Sequence, residues 1–463
     1  MRHRLALALV AALVTGGTAP ARAQSGPPGT TPTPTTTSPT TTTTTTAPAP
    51  KPAPTDGDDD DSNDDLFLYG DDAPADNSWT DDDTDGTQQI TTGALRLGVY
   101  DDTDQTQVIR SLADLNAAWG DWSVSGSAGV DVVTSASVDV RSSPALSKVD
   151  VVTGASGRTT TSGGQMSDTR YQATGSAGWD DGSGDKVSLS SAAAAERDYG
   201  SLSAGLNGSV DVYDRQITLL GGLNYTHNWI SSVLDRSLHE TMYNTGWSAG
   251  LALVLTPRDA LRLRYDGSSS QGYQSSPYRS VRFGDWSTSL GTRDQIMFQN
   301  TIGSADGLPE KNPRSRISHA GVLELVHSLG DGVGLHPALR LGHDNWDIQS
   351  LTASLDLRVA RPSWRLKLGY RFYAQTRADF FHDKYTMDPS SYTYYTSDKE
   401  LGDEQGHMVD FDISTVLKTP ANTNDTRLLL DAHVTLMHYK YPGFLLLESR
   451  DGAFLELGLT WEM

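Results

Sequence analysis

The chain of 463 residues has no cysteine, which excludes a disulfide framework, a cysteine nucleophile and attachment of lipid through an N-terminal Cys. It has no apolar run near the ~20 residues that a membrane-spanning helix needs. Hydrophobic residues make up only 37%. That is too few for a helical membrane protein but enough for a β-barrel, whose strands turn a residue to lipid only at every second position. Cations are scarce as well, with 36 Lys and Arg against 58 Asp and Glu and a formal net charge of -22. So acidic a chain offers little to a nucleic-acid backbone.

What the sequence does have is alternation. From Gly452 to Met463, the residues Leu455, Leu457, Leu459, Trp461 and Met463 alternate with Glu456, Gly458, Thr460 and Glu462. Period two makes one face of a strand apolar and the other polar. Such a strand, with an aromatic ring near the last position, is what closing an outer-membrane barrel requires, because an open edge in lipid leaves backbone groups unsatisfied.

Residues 1–23 read as a secretory signal: Arg2, His3 and Arg4 precede the apolar run Leu5 to Val14, and Ala21-Arg22-Ala23 precedes Gln24. Residues 24–55 are a Pro/Thr-rich linker with nothing to bury, expected to be disordered and extended. Residues 56–90 are an acidic segment, also expected to be disordered, since Asp56 to Gly86 holds fourteen Asp and no Lys or Arg and blocks of like charge repel. Within it, Asp81-Asp-Asp83-Thr-Asp85-Gly86 matches the first half of a calcium loop, yet the twelfth position is Thr92 rather than Glu. A solvated linker is the simpler account. Its apolar island, Leu66-Phe-Leu-Tyr69, is where a periplasmic protein partner could dock.

From residue 91 to 463 the alternation predicts an all-β fold, a closed antiparallel transmembrane barrel of about 16 strands. Segments fall near 91–101, 105–119, 122–133, 169–179, 186–196, 200–212, 215–229, 240–255, 259–268, 315–328, 333–343, 347–359, 363–376, 407–419, 427–439 and 453–463. An even count returns both ends of a bacterial barrel to the periplasm. If the first strand runs outward, every second connection is a periplasmic turn, and all seven of these are short. The long connections, about 134–168, 269–314 and 377–406, fall in the other set and are expected to be extracellular loops. Trp119, Trp122, Trp179, Trp364 and Trp461 lie near the proposed periplasmic strand ends, as a girdle should, while Trp229 and Trp346 are placed at the outer rim.

The same parity assigns a lumen face. Strands three to eight point small groups inward, among them Ser125, Ser127, Thr174, Ser176, Ser203 and Asn207. Later strands point charges inward: Arg262, Arg264, Arg340, Arg358, Arg365, Lys367, Arg371, Asp410, Asp412, Arg427 and Asp431. Opposed charges in a water-filled lumen create a transverse field for a permeating solute. They could equally pair with one another across neighbouring strands. No nucleophile elbow, P-loop, zinc spacing or cofactor fingerprint appears, so no catalytic, cofactor or metal residue is assigned. The inward His336 and His433 read as wall residues. Asp379, His382 and Asp383 read as a solvated loop rather than metal ligands.

Several stretches resemble a family of bacterial outer-membrane proteins catalogued as domain of unknown function 3570. They are Asp131-Val-Val-Thr-Ser-Ala-Ser137, Val152-Thr-Gly-Ala-Ser156, Glu196-Arg-Asp-Tyr199, Thr256-Pro-Arg258, Ser276-Pro-Tyr-Arg279 and Tyr370 to Asp379. The resemblance spans residues 91–463 and leaves out the Thr/Asp linker. It implies a secreted outer-membrane barrel with no established activity, and a link to an envelope redox system through neighbouring thioredoxin-like and flavin-attaching proteins. It also draws attention to Ser135, Ser137, Pro277, Tyr278 and Arg279, in or beside proposed extracellular loops, where function concentrates on a rigid scaffold.

Two functions follow. One is a pore for small hydrophilic solutes, non-enzymatic, with an Arg-rich, mixed-charge lumen wall. The other is a non-conducting structural or docking barrel for periplasmic or surface partners. Both place the protein in outer-membrane lipid, and the sequence leaves the oligomeric state open.

Overall fold

The computed structural model describes residues 90–135, 166–232, 235–288, 296–299, 307–419 and 426–463, all within the compact unit Pro50–Met463. The proposed signal, Pro/Thr linker and acidic segment lie outside the described residues, as does Ser137.

Nine strands come first: β1 (Ile90–Asp102), β2 (Thr106–Trp119), β3 (Trp122–Ser135), β4 (Met166–Asp180), β5 (Lys186–Ala195), β6 (Tyr199–Val212), β7 (Ile217–Ser231), β8 (His239–Thr256) and β9 (Asp259–Gly272). Four short strands follow, β10 (Ser280–Val281), β11 (Asp285–Thr288), β12 (Ile296–Gln299) and β13 (Leu308–Pro309). The last seven are β14 (Ser315–Gly330), β15 (Val333–Asp344), β16 (Gln349–Arg361), β17 (Trp364–Gln375), β18 (Glu404–Lys418), β19 (Arg427–Lys440) and β20 (Ser449–Glu462). β1 to β9 and β14 to β20 form one closed antiparallel barrel of sixteen strands in sequence order. These are the sixteen expected segments, with ends displaced by up to four residues. β20, for instance, begins at Ser449 rather than 453.

Closure is made where β20 pairs with β1, from Thr92↔Glu462 to Asp102↔Gly452. Outside the wall, Leu95, Leu97 and Val99 of β1 stand beside Leu455, Leu457 and Leu459 of β20, all exposed. Inside, Arg96 of β1 lies 3.7 Å from Asp114 of β2 and 3.9 Å from Glu456 of β20, so one guanidinium ties three strands across the seam. Aromatic rings cover the seam's glycines: a Cβ at Gly93 would come within 2.3 Å of the Trp461 ring, and one at Gly98 within 2.8 Å of Phe454. A one-residue slip here would turn every side chain of the strand to the other face, so the apolar outer face and the charged inner face fix this register.

At one end, the turn end, strands are joined tightly. Gly120, with φ 54°, begins the two-residue turn between paired Trp119 and Trp122, and Asp331-Gly332, both at positive φ, links Gly330 to Val333. These are the primed turns that match strand twist. At the opposite loop end, chain that was expected only to connect is folded. β10 pairs with β13 and β11 with β12, and four apolar clusters are buried there or just beneath. Trp346 belongs to one of them. It is buried against Phe380 and carries Arg316 over its ring at 4.9 Å, so it is a packing residue and not part of a rim girdle.

Candidate functional site

The lumen is built by alternation, so its chemistry is read strand by strand. On β3 to β7 hydroxyls pair across the wall: Ser125 with Ser176 at 2.6 Å, Ser127 with Thr174, and Ser203 with Thr226 at 2.8 Å. From β9 onward the wall is charged. Near the turn end, Arg262 on β9 lies 3.1 Å from Glu324 on β14. Arg358 lies 3.3 Å from Asp356 on its own strand, and Arg427 lies 3.2 Å from Glu462. Arg365 stands one register step along, where Ala360 faces it. Arg264 reaches Asp266 at 3.0 Å, and Lys367, directly opposite Arg358 in the register, reaches Asp412 at 3.5 Å. Arg262, Arg264, Arg358, Lys367 and Arg427 each have a carboxylate of the wall within 4 Å, which suppresses a bare basic stripe.

A small network sits on β18 and β19. The Thr435 hydroxyl donates to Asp410 at 2.7 Å, and His433 Nε2 lies 2.7 Å from the same hydroxyl. His433 Nδ1 lies 3.5 Å from Asp412, and the Thr460 hydroxyl donates to Asp431 at 2.6 Å. Higher up, Arg340 is buried and Arg371 half-buried. Several of these side chains keep contact with solvent. Arg358 keeps 51% of its side-chain surface, and Lys367 and Asp412 keep about a third each. A charged group with that much contact to solvent lines an aqueous space, not a packed core.

At the loop end the opposite holds. Arg279 Nη1 lies 3.3 Å from Glu310 and 2.5 Å from Asp398, with the guanidinium side chain only 6% exposed. Glu310 also accepts from the Ser276 amide at 2.7 Å and from the Thr396 hydroxyl. The two connections that meet here are zipped along their backbones, since Lys311 and Tyr395 exchange both amide hydrogen bonds at 3.0 Å and the Gly284 amide donates to Tyr385 at 2.9 Å. Tyr278 is buried and Pro277 half-buried beside Arg279, and Ser135 ends β3 at the same rim.

Lys399 is fully buried and lies 3.0 Å from Glu400. Burial pushes the Glu400 carboxyl up, but Lys399, Arg450 of β20 and Arg279 more than offset this and hold it well below the usual range. The segment around Glu400 meets the connection that carries Arg279, since Asp398 pairs with that guanidinium. It is anchored to the wall by Gln375, whose amide donates to the Gly402 carbonyl at 2.9 Å, and by Arg377 on Asp403 at 2.7 Å. Arg377 also holds Asp383 at 3.2 Å, while His382 packs edge-on to Tyr385. The Asp379, His382 and Asp383 stretch is thus part of this packing.

Sequence reasoning missed the carboxylates Glu310, Asp398 and Glu400. Nothing local marks them, because their partners are distant in the chain. The only signal was the motif containing Arg279.

A family model described as "Protein of unknown function (DUF3570)" matches residues 66–427. The match begins inside the acidic segment, at the Leu66 island, so the family's reach is wider at that end than residues 91–463. No curated protein matches the sequence. Among solved structures, a "Bacterial polysaccharide outer membrane secretin" is 10% identical with a TM-score of 0.41, over 82% of this chain and all of that one. The ferric enterobactin receptor PfeA of Pseudomonas aeruginosa is 13% identical with a TM-score of 0.38, over 77% of this chain and 55% of that one. The "CymD monoaromatic hydrocarbon channel" is 9% identical with a TM-score of 0.34, over 81% and 88%. The chain thus spans about half the length of the siderophore receptors, and no likeness at this level bears on function.

Proposed function

The chain belongs to the family described as Protein of unknown function (DUF3570), and on that premise we propose that it is an outer-membrane pore for small hydrophilic solutes, narrowed at its outer mouth by its own loops. The observation that carries this reading is the solvent contact of inward charges in the lower lumen, Arg358 above all. A barrel serving only as a scaffold gains nothing from a wet, charged interior. Embedding in lipid is supported by two rings of exposed aromatics, Trp119, Trp122 and Trp364 at the turn end and Tyr171, Tyr225, Trp229, Tyr243, Tyr265 and Tyr370 toward the loop end. Tyr171 and Trp179 are separated by eight positions of β4, roughly 20 Å along the axis of a barrel tilted by ~40°, close to the height of an outer-membrane apolar band.

A second reading, a docking barrel that conducts nothing, is favoured by the folded connections packed together at the loop end. Planar-bilayer recording of the purified full chain separates the two. Discrete conductance steps support the pore, and a silent bilayer with correctly folded protein supports the docking barrel. Orientation is tested by a protease site inserted at Ser390-Ser391 or in the turn at Pro362-Ser363. Cleavage of intact cells is expected only at the first.

A further inference from the structure

We propose that His407 and His438 bind a divalent transition-metal ion, of the Zn²⁺ and Cu²⁺ kind, on the outer face of the barrel near the loop end. The two residues stand directly opposite each other on β18 and β19, where facing side chains of antiparallel neighbours are about 5 Å apart at Cβ. Both belong to the outward face: His407 shares the parity of the exposed Val409 and Phe411, and His438 that of the exposed Leu436. Their rings are stacked at 29° with centroids 6.5 Å apart. Rings that share one tetrahedral ion, at about 2.0–2.1 Å from each nitrogen, have centroids ~5 Å apart. A small turn about the side-chain bonds closes that gap, and His438 keeps 38% of its side-chain surface in solvent, so little opposes it.

The second, independent observation is how the other nitrogen of each ring is engaged. His438 Nδ1 lies 2.6 Å from Asp451 Oδ1 on β20. An ionised carboxylate only accepts, so Nδ1 carries the proton and Nε2 keeps its lone pair. His407 Nδ1 lies 2.9 Å from the Tyr370 hydroxyl on β17, a group that can accept the same proton. A histidine whose Nδ1–H is held by a carboxylate is the arrangement that orients metal ligands and raises their basicity. The barrel repeats the unit: on β14 and β15, His319 stands opposite His343, and His319 Nδ1 lies 2.7 Å from the Tyr265 hydroxyl on β9. In both units the Tyr faces the residue two places beyond the His, Val409 in one and Gly321 in the other. Among the described residues only the first pair has an orienting carboxylate, which makes it the tighter site. Imidazole nitrogens suit Zn²⁺ and Cu²⁺, whereas Mg²⁺ and Ca²⁺ take oxygen. Water would supply the remaining ligands.

The test is calorimetric titration of Zn²⁺ into the chelator-treated full chain, refolded in detergent, for wild type, His407→Ala, His438→Ala, Asp451→Asn and His343→Ala. All five share the acidic N-terminal segment, so differences among them belong to the barrel. Wild type is expected to show one tight site that His407→Ala and His438→Ala each weaken at least tenfold and Asp451→Asn about tenfold, with His343→Ala leaving it unchanged. One equivalent of Cu²⁺ is expected to show two nitrogen ligands by electron paramagnetic resonance in wild type and one in His438→Ala. Identical isotherms for wild type and His438→Ala would overturn the site, and His407→Ala carries the same comparison if His438→Ala does not fold. Equal affinity for Mg²⁺ would overturn it too.

Discussion

Arg358 and Arg279 each hold a carboxylate, at 3.3 Å and 2.5 Å, and they differ in almost everything else. Arg358 stands in the lower lumen with half its surface in water, while Arg279 and both of its carboxylates are sealed under two folded connections. The same chemistry therefore has different worth. An exposed pair contributes about 0 to 1 kcal/mol and is screened by salt. A buried one adds little over an apolar substitute, yet losing one partner strands the other. The lower wall can be recharged freely, and the mouth cannot.

The harshest way to break this contrast is Arg279→Met, which leaves Glu310 and Asp398 buried without their cation. It should cost roughly 3 to 5 kcal/mol, released as unfolding of the mouth and not of the sheet. Proteolysis within residues 380–398 should become fast, and conductance should rise. Protection equal to wild type would mean that the apolar clusters alone hold the mouth. Next in size, Leu457→Arg puts a charge on the lipid face and should cost about 2 to 4 kcal/mol of barrel stability, whereas Thr460→Arg, on the lumen face of the same strand, should cost much less. Equal assembly of the two would refute the register at the seam.

A gentler probe turns Arg365, Lys367 and Arg371 to Glu together. Reversal potentials in a salt gradient should move toward cations, and the shift should shrink at high salt. Unchanged selectivity would mark these residues as paired wall. The smallest effect is expected from Arg358→Ala, about 0 to 1 kcal/mol in denaturant unfolding. A loss of several kcal/mol would show that the lower lumen is not aqueous.

The legible and illegible parts of this protein divide along the same line. The strand Trp364–Gln375 was read to within one residue at each end, and the turn at Asp331-Gly332 fell inside the expected gap between 328 and 333, because a strand's period and a turn's φ are properties of adjacent residues. Trp346 could not, because an aromatic residue near a strand end looks the same whether it meets lipid or Phe380. Arg279 was marked only by a resembling motif, and its partner Asp398 lies 119 residues away in a connection without periodicity. Glu196 was flagged by the same resemblance, with no hint that Asp168 would come beside it.

By itself the sequence determined the sheet: sixteen strands, their closure, and which side chains face outward, since a closed barrel pairs every strand and so repeats one two-residue rule throughout. Only the tertiary structure decided how the connections at the loop end pack, which wall charges meet, and where three carboxylates converge. Those contacts join chain segments that no local rule relates, and their energies depend on a burial that exists only once the barrel has brought the segments together.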